Sequence, residues 1–352
     1  MGINQKEIAE RAEVSQSTVS LVLNNDPRIA KETRKSVLKV IEELDYRPDS
    51  SARSLAGKRT GNIGFILCDV IISNPFFFKM LHGVDQEVSR QNRKLLYTGA
   101  EEFLTEKSRF PLMLKEKILD GAIVSGKVSL EFVNILKDRK IPRVVLGNHE
   151  LEDVDIISAD VRTGSFDAVS YLISLGHKRI GFMTGSLEYF YHRELLESYR
   201  LAHEKAGLDC DEELIRENIE EDAGIMVERM FKIKEPPTAI FAVNDIIAVN
   251  AMEALKERGF KIPDDISIIG IHDIDIASYT TPRLTTVKMF HELMAEAAVK
   301  RLMEIIDTGS QKPVRKTIRT ELVIRDSCAY VNYCGKNIAA CQKYTEKEVN
   351  LR

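Results

Sequence analysis

From Asn62 onward, short apolar runs alternate with longer amphipathic stretches, and this alternation constrains the fold more than any other feature. Strand–helix alternation at this spacing predicts an α/β fold, with parallel sheets covered by helices on both faces. The stretch Gly176–Gly181 is interpreted as the start of a second lobe, so the strands form either one long sheet or two smaller ones. The predicted strands are 63–68, 94–98, 122–125, 144–146, 180–184, 239–243 and 266–271.

The first sixty residues lack this alternation and contain three short helical patterns instead. Ala9, Val14 and Val19 recur five residues apart, a spacing that lets two helices cross closely over a tight turn, as in a helix-turn-helix. Ser15 is predicted to cap the second helix. A different three-helix bundle is the alternative, because Ala and Val are common at such spacings. The predicted helices are 5–12, 17–23 and 32–44.

A helix-turn-helix exposes the start of its second helix to DNA. In this chain that start is Gln16, Ser17 and Thr18, whose small polar groups can contact base edges or phosphates. The sequence therefore points to nucleic-acid binding by the N-terminal residues.

The segment Tyr46–Gly57 joins these two unlike regions. Pro48 and Ser50 are typical of a helix start and Gly57 of a helix end, which leaves room for barely two turns. Helices this short are marginal in water on their own. We therefore predict a conditional helix, which is ordered only when something binds.

Composition limits the classes of protein that remain. The chain has 352 residues, 44% hydrophobic and 30% charged, which predicts a soluble protein of two or three domains. No run of eighteen apolar residues and no apolar leader follows Met1, so we expect a cytoplasmic protein without a membrane span. Five cysteines without a paired framework indicate reduced thiols.

No motif for nucleotide phosphates or for an activated serine is found, so we expect neither an enzyme nor a cofactor. His272, Asp273 and Asp275 lie close together in sequence, but three such residues on one loop are weak grounds for a metal site. We therefore predict no bound metal.

The N-terminal region closely resembles the headpiece and hinge of the LacI/GalR family of bacterial transcription regulators. The resemblance is carried by Ile8-Ala9, Ala12, Val14-Ser15, Ser17-Thr18-Val19-Ser20, Val22-Leu23-Asn24, Thr33-Arg34, Leu44-x-Tyr46-x-Pro48 and Ala52-Arg53-Ser54-Leu55. In that family the hinge becomes helical on operator DNA, two hinges pair across a dimer, and a leucine enters the minor groove. Leu55 falls at that position, although it could instead be an ordinary packing residue. The DNA-contacting residues implied are Gln16, Ser17, Thr18, Ser20, Leu21, Asn24, Ser50, Arg53 and Leu55.

The remainder resembles the same family's effector core, which is similar to periplasmic sugar-binding proteins. The matching motifs are Asn74-Pro75-Phe76-Phe77, Asp120-Gly121, Gly176-His177-x-Arg179-Ile180, Asn244-Asp245, Pro263-Asp264-Asp265-Ile266-Ser267 and Pro282-x-Leu284-Thr285-Thr286-Val287. The resemblance implies a homodimer whose two lobes, joined by three crossing strands, close on a small effector. It places the headpiece at 1–46, the hinge helix and linker at 47–60, the N-terminal lobe at 61–159 with 289–320, the C-terminal lobe at 160–288 with 321–330, and a poorly ordered tail at 331–352.

Four positions depart from the family pattern. Leu21 replaces a polar or basic base-reading residue, and Glu13 takes a turn position where glycine or asparagine is frequent. Leu195 occupies the place of an arginine that holds ligand hydroxyls, and His272 the place of an aspartate. Arginine and aspartate suit sugars because they form paired, charge-assisted hydrogen bonds. The departures weaken the prediction of an ordinary sugar effector.

Ligands of such folds bind at the carboxyl ends of the strands. Three possibilities stay open at this point: a different effector, a protein partner, or no effector at all. The predicted function is a dimeric repressor that binds a palindromic operator, and a solute-binding protein of a transport system is the alternative from another class. The predicted effector-binding residues are Asp69, Asn74, Phe76, Phe78, Ser125, Asn148, Tyr189, Phe190, Arg193, Asn244, His272 and Asp273.

Overall fold

The structure is a computed structural model, in which the chain divides into two units, Met1–Thr60 and Gly61–Arg352. The predicted hinge helix and all of the tail beyond residue 331 lie outside the described residues. So do seven of the predicted site residues: Asn24, Ser50, Arg53, Leu55, Asp69, Asn74 and Asn148. The described residues are 4–23, 26–44, 59–68, 75–100, 112–116, 118–147, 150–217, 222–310 and 312–331.

Among its described residues the N-terminal unit contains three helices, α1 (Gln5–Arg11), α2 (Gln16–Leu23) and α3 (Lys31–Glu43), as predicted. Asn4 caps α1, because its side-chain oxygen accepts hydrogen bonds from the backbone N–H groups of Lys6 (3.0 Å) and Glu7 (3.1 Å). The three helices bury one small apolar core. Its members are Ile8, Ala9, Ala12, Val19, Val22, Val37 and Val40.

Six strands form the first sheet of the second unit, in the order β11-β5-β4-β3-β1-β2, and all of their pairings are parallel. Every residue of β1 is buried, as expected for a central strand of a parallel sheet with both faces covered. The strands are β1 (Asn62–Cys68), β2 (Lys94–Ala100), β3 (Gly121–Gly126), β4 (Arg143–Leu146), β5 (Asp155–Ala159) and β11 (Arg315–Ile318).

The second sheet also has six strands, in the order β12-β10-β9-β8-β6-β7. β12 runs antiparallel to β10, so the prediction of parallel sheets is wrong for this one edge strand. The strands are β6 (Ile180–Thr184), β7 (Ile215–Glu217), β8 (Ala239–Ala242), β9 (Ser267–His272), β10 (Thr285–Met289) and β12 (Thr320–Val323).

Helices follow most strands of both sheets and cover their faces. Asn244 caps the helix after β8, where its side-chain oxygen accepts the backbone N–H of Ile247 at 2.8 Å. The helices are α4 (Pro75–Arg90), α5 (Leu112–Lys115), α6 (Leu130–Asp138), α7 (Val161–Ser174), α8 (Phe190–Lys205), α9 (Ala223–Phe231), α10 (Asp245–Glu257) and α11 (His291–Thr308), with 3₁₀ turns at Glu212–Leu214 and Asp275–Ser278.

The chain passes between the two sheets three times, after β5, after β10 and after β11. Met289 ends β10 and Thr320 begins β12, so both residues lie in the second sheet rather than in the N-terminal lobe to which the sequence prediction assigns them. The crossings are therefore shifted by one residue at these two points. Ligands of such folds bind at the carboxyl ends of the strands.

Candidate functional sites

The turn between α1 and α2 has helix-turn-helix geometry. The backbone N–H of Val14 donates to the carbonyl of Ala9 at 3.0 Å, and Glu13 has a φ of 53°. A non-glycine residue in this left-handed region is strained, as the sequence suggested for Glu13. Ser15 accepts the backbone N–H of Thr18 at 3.1 Å, which confirms its predicted role as a cap.

The start of α2 presents polar groups on the surface of the N-terminal unit. Gln16 and Ser17 are exposed, whereas Thr18, Ser20 and Leu21 are half-buried. The Ser17 and Thr18 hydroxyls lie 2.6 and 2.9 Å from the Ser15 hydroxyl oxygen. Gln16 carries an exposed amide, which is suited to paired contacts with an adenine edge.

A basic stripe on α3 is a feature that the sequence interpretation did not single out. Arg34 lies on this stripe, and its Nη2 donates to the Asp26 carbonyl at 2.5 Å, which ties α3 to the turn that follows α2. Four of the six side chains that line the stripe are cationic, so it can contact phosphates without reading sequence. They are Lys31, Arg34, Lys35, Leu38, Lys39 and Glu42.

In the second unit, two of the predicted effector-binding residues serve the fold. The hydroxyl of Ser125 is buried and donates to the Leu146 carbonyl at 2.6 Å, between two neighbouring strands. Asn244 uses its side-chain oxygen as the cap of α10. Polar residues at strand ends are therefore not all available to a ligand.

A stack of rings crosses the space between the sheets. The Phe76 ring, on α4, lies 4.2 Å from the His272 ring at the end of β9, measured between centroids. Tyr191 on α8 contacts the same imidazole: its hydroxyl is 3.1 Å from His272 Nε2 and donates to the Val243 carbonyl, also at 3.1 Å. Burial, together with His291 and His192 nearby, holds the pKa of His272 well below its usual value. The imidazole is therefore neutral at pH 7.

His272 and Asp273 form a strained turn, with φ angles of 109° and 53°. Asp245 stabilises this turn through hydrogen bonds. Its carboxylate accepts the backbone N–H of Ile274 (2.9 Å) and the Thr286 hydroxyl (2.5 Å). Burial raises the pKa of Asp245 to about 7. Asp273 itself is paired with Arg325 at 2.6 Å, so its charge is already balanced within the chain.

The predicted residues on and before α8 also contact the opposite lobe. The Lys127 ammonium lies 4.2 Å from the Tyr189 ring centroid, and Arg193 forms an ion pair with Glu150 at 3.1 Å. The Arg193 guanidinium also lies 5.7 Å from the Phe190 ring. Tyr189, Phe190 and Arg193 thus lie close together, and their predicted role in binding an effector stays a prediction.

Neither Phe78 nor Leu195 is among the cleft contacts described above. The side chain of Phe78 is 61% exposed, and Leu195 is fully buried in the apolar core of the second sheet. Of the two α4 phenylalanines that the sequence leaves off the core face, Phe76 is the one in the ring stack.

Three residues of the cleft were missed by sequence reasoning. Tyr191 lies within an aromatic run, Tyr189–His192, that could have been recognised. Lys79 and His291 carry no such signal. Lys79 contacts Asp275 at 2.7 Å, and the ring centroid of His291 lies 5.1 Å from that of Phe76. Burial lowers the pKa of His291 to about 4.

Within the described ranges, no three His, Cys, Asp or Glu side chains are grouped closely enough to hold a metal ion. Asp273 and Asp275, once considered with His272, are paired with Arg325 and Lys79. None of the described helices combines the length and the hydropathy needed for a membrane span.

A helix-turn-helix with an exposed second helix, followed by two parallel-type sheets with three crossings, defines a DNA-binding regulator with a core like that of ligand-binding proteins. Residues 5–49 match the family described as "Bacterial regulatory proteins, lacI family", and residues 169–328 match the "Periplasmic binding protein-like domain".

Full-length relatives extend this match. The chain is 32% identical to the probable HTH-type transcriptional repressor ExuR of Bacillus subtilis (strain 168), over 92% of this chain and 97% of the relative. It is 33% identical to the HTH-type transcriptional repressor PurR of Haemophilus influenzae (strain PittEE), with the same coverage. The lac repressor dimer bound to operator and the anti-inducer ONPF has the same fold, with a TM-score of 0.82 at 23% identity over 94% of this chain and 100% of that one. The chain therefore belongs to the lacI family of bacterial regulatory proteins and is a DNA-binding transcriptional regulator.

Proposed function

We propose that the protein represses transcription in the cytoplasm by binding a palindromic operator as a homodimer. The observation that carries this proposal is the exposed start of α2, where Gln16 and Ser17 stand on a helix-turn-helix within the family match. In this proposal Gln16, Ser17, Thr18 and Ser20 contact base edges or phosphates, and Leu21 meets a thymine methyl. The basic stripe on α3 adds contacts to the backbone of the DNA.

The hinge supplies a second set of DNA contacts in this proposal. Leu55 enters the minor groove as an apolar wedge, and Asn24, Ser50 and Arg53 contact the neighbouring backbone and groove. A wedge of this kind kinks DNA and so brings more protein surface into contact with it. The support for these roles is the sequence match to the family, since these residues lie outside the described part of the chain.

Exposed apolar side chains on the core support a dimer. Phe78 (61% exposed) on α4 and Leu112 (67%) on α5 lie on the lobe whose edge strand β2 exposes Tyr97. Tyr279, which is 83% exposed, follows β9 on the other lobe, and Ile276 precedes it. Contiguous exposed apolar patches mark interaction sites. We assign these exposed side chains to contacts with a second copy of the chain.

The lobe boundaries and the effector site belong to the same proposal. Sheet membership supports an N-terminal lobe of residues 61–159 with 290–319 and a C-terminal lobe of 160–289 with 320–330, joined by the three crossings. A small effector bound between the lobes would meet Phe76, Tyr189, Arg193 and His272. The protein acts by binding rather than by catalysis in this proposal.

Footprinting with purified protein on the DNA around its own gene tests the main proposal. The expected result is protection of one or more palindromic sites, with both half-sites covered at the same protein concentration. Gln16→Ala is expected to bind those sites more weakly while the circular dichroism spectrum stays unchanged. Equal affinity of the wild-type protein for palindromic and scrambled DNA would refute the proposal.

A further inference from the structure

Three residues that each precede a strand meet at one end of the first sheet. Gly61 comes directly before β1, Arg93 before β2 and Asp120 before β3, and β1 lies between the other two strands. Oδ2 of the Asp120 carboxylate accepts the backbone N–H of Gly61 at 2.9 Å and Nη1–H of Arg93 at 2.8 Å. One carboxylate therefore joins the amino ends of three neighbouring strands.

The ion pair between Arg93 and Asp120 is shielded from water. The two side chains are 15% and 5% exposed. Ion pairs on the surface contribute little because water screens them, whereas hydrogen bonds between charged groups are strong where water is excluded. Water therefore does not readily replace the bonds that the Asp120 carboxylate makes.

The backbone at Gly61 is fixed before it enters β1. Its φ is 78°, in the left-handed region that few residues other than glycine adopt. Its N–H donates to Asp120, and its carbonyl accepts the backbone N–H of Lys94 at 2.9 Å. Asn62 is held as well, because its carbonyl accepts the backbone N–H of Asp120 at 2.9 Å and its side-chain amide donates to the Ile118 carbonyl at 3.0 Å. The chain is thus bonded to both neighbouring strands at this point.

Gly61 is also the residue that follows the predicted hinge helix and linker, residues 47–60. The amino ends of the strands lie opposite the carboxyl ends, where ligands of such folds bind. β1 has seven residues and therefore spans about 23 Å. The bond between Asp120 and Gly61 is thus at the end of the sheet where a change in the core reaches the linker.

We propose that Asp120 and Arg93 are positioning residues for operator binding. They fix the direction in which the chain leaves the core at Gly61, and so the separation at which the two headpieces of a dimer reach their half-sites. The second half-site is bound in an intramolecular step, whose strength depends on how well the connecting chain matches the span. A loosely held linker spreads the headpieces over many separations and weakens that step. The inference rests on the proposed function, because it requires a dimer on a palindromic operator.

Operators with altered half-site spacing test the inference in the full-length protein. The footprinted palindrome is prepared with its natural centre, with one or two base pairs added or removed there, and as a single half-site. Wild-type protein is expected to prefer the natural spacing, because a dimer binds half-sites at a set separation. Asp120→Asn is expected to bind the natural palindrome about tenfold more weakly and to discriminate less between spacings, with unchanged affinity for the single half-site.

A second variant changes the same turn without leaving Arg93 unpaired. No atom lies within 4 Å of a Cβ built at Gly61, so the methyl group of Gly61→Ala meets no neighbour and the strain comes from φ alone. Gly61→Ala is expected to reduce the preference for the natural spacing as Asp120→Asn does. It tests the inference even if Asp120→Asn fails to fold.

The matched control is a carboxylate with the same chemistry at another place in the same lobe. Oδ1 of Asp155 accepts Nε–H of Arg301 at 2.6 Å and the backbone N–H of Val314 at 2.9 Å, and its ion pair is similarly buried. Val314 precedes β11 instead of following the linker. Asp155→Asn should therefore destabilise the core in urea about as much as Asp120→Asn, while its preference for the natural spacing stays that of wild type.

The outcomes separate the inference from the proposed function. If wild-type protein does not prefer a palindrome to scrambled DNA, the proposed function fails, and the inference fails with it. If wild-type protein prefers the palindrome but Asp120→Asn and Gly61→Ala keep its preference for the natural spacing, only the inference is overturned. An equal loss of spacing preference in Asp155→Asn would also overturn it, because the effect would then come from general destabilisation of the lobe.

Discussion

The start of α2 and the cleft between the lobes are both candidate recognition sites. They differ in how far their polar groups are exposed or already paired within the chain. On α2, Gln16 and Ser17 are exposed on one short helix. In the cleft, His272 is bonded to Tyr191, Asp273 is paired with Arg325, and Lys79 is paired with Asp275. The first site is open to a partner, whereas the second must give up internal contacts to receive one.

The difference follows from how each site is assembled. The α2 site comes from consecutive residues, so one helix and its cap suffice to present it. The cleft combines α4, α8, β9 and the start of α11, which are far apart in sequence. Side chains from so many elements pair with one another within the folded chain, because a buried polar group without a partner is unfavourable.

The largest expected effect is on the pH dependence of the unfolding free energy, which should differ between the core and the N-terminal unit. All seven histidines lie beyond residue 60, so only the core carries buried imidazoles. Burial lowers the pKa of His177 from 6.5 to about 4, so the unfolded chain takes up a proton between these pH values that the folded chain does not. His177→Gln should therefore reduce the loss of unfolding free energy between pH 6.5 and 4.5 by about 2 kcal/mol. Urea unfolding at both pH values measures this.

His82→Gln is the matched control, because it removes an exposed imidazole of α4 instead of a buried one. Asp245 acts in the opposite direction: its raised pKa, about 7, makes the folded state gain stability as the pH falls from 7. That contribution is common to wild type and both variants, so it cancels in the comparison. Identical pH dependence in wild type and His177→Gln would contradict the assignment.

The next effect concerns DNA. Leu55→Ala should weaken operator binding by about 2 kcal/mol, the free energy of burying a leucine side chain, while the melting temperature of the core stays unchanged. Titrations of labelled operator test the loss of affinity, and a thermal melt on the same preparation tests the unchanged melting temperature. Unchanged affinity would remove the wedge role, and a lower melting temperature would show that Leu55 packs within the protein.

A somewhat smaller effect is expected at the base-reading face. Gln16→Ala should weaken operator binding by about 1–2 kcal/mol and relax the preference at one base pair in each half-site. Lys6→Ala, on the exposed side of α1, is the control because loss of a positive charge acts alike on all sequences. Binding to a set of single-base operator variants distinguishes the two. Equal selectivity of wild type and Gln16→Ala would contradict a base contact.

The smallest effect is predicted for simple sugars. Because Leu195 and His272 replace the arginine and aspartate that suit sugar hydroxyls, common monosaccharides should give no shift in the melting temperature. The same protein mixed with its operator provides a positive control for a shift. A clear shift with any one monosaccharide would show that the cleft opens to such ligands and that the interpretation of these two positions is wrong.

Much of the fold could be predicted because the signals were local. The three N-terminal helices and the seven predicted strands are all present, with their ends displaced by at most a few residues. The other five strands were not predicted. β11, for example, begins Arg315-Lys316 and is exposed at a sheet edge, where charged residues are favoured and apolar runs are not. The antiparallel direction of β12 likewise depends on the final crossing and not on its own residues.

The sequence by itself determined the helix-turn-helix, the strand–helix alternation and the family, because each rests on residues close together in the chain. Only the tertiary structure decided that Phe76 rather than Phe78 enters the cleft, that Tyr191 bonds to His272, and that Lys79 and Arg193 pair across it. Those contacts join residues separated by up to roughly two hundred positions, and no local pattern encodes which of many polar side chains will meet. Burial then makes their mutual hydrogen bonds necessary, and so determines what the cleft can accept.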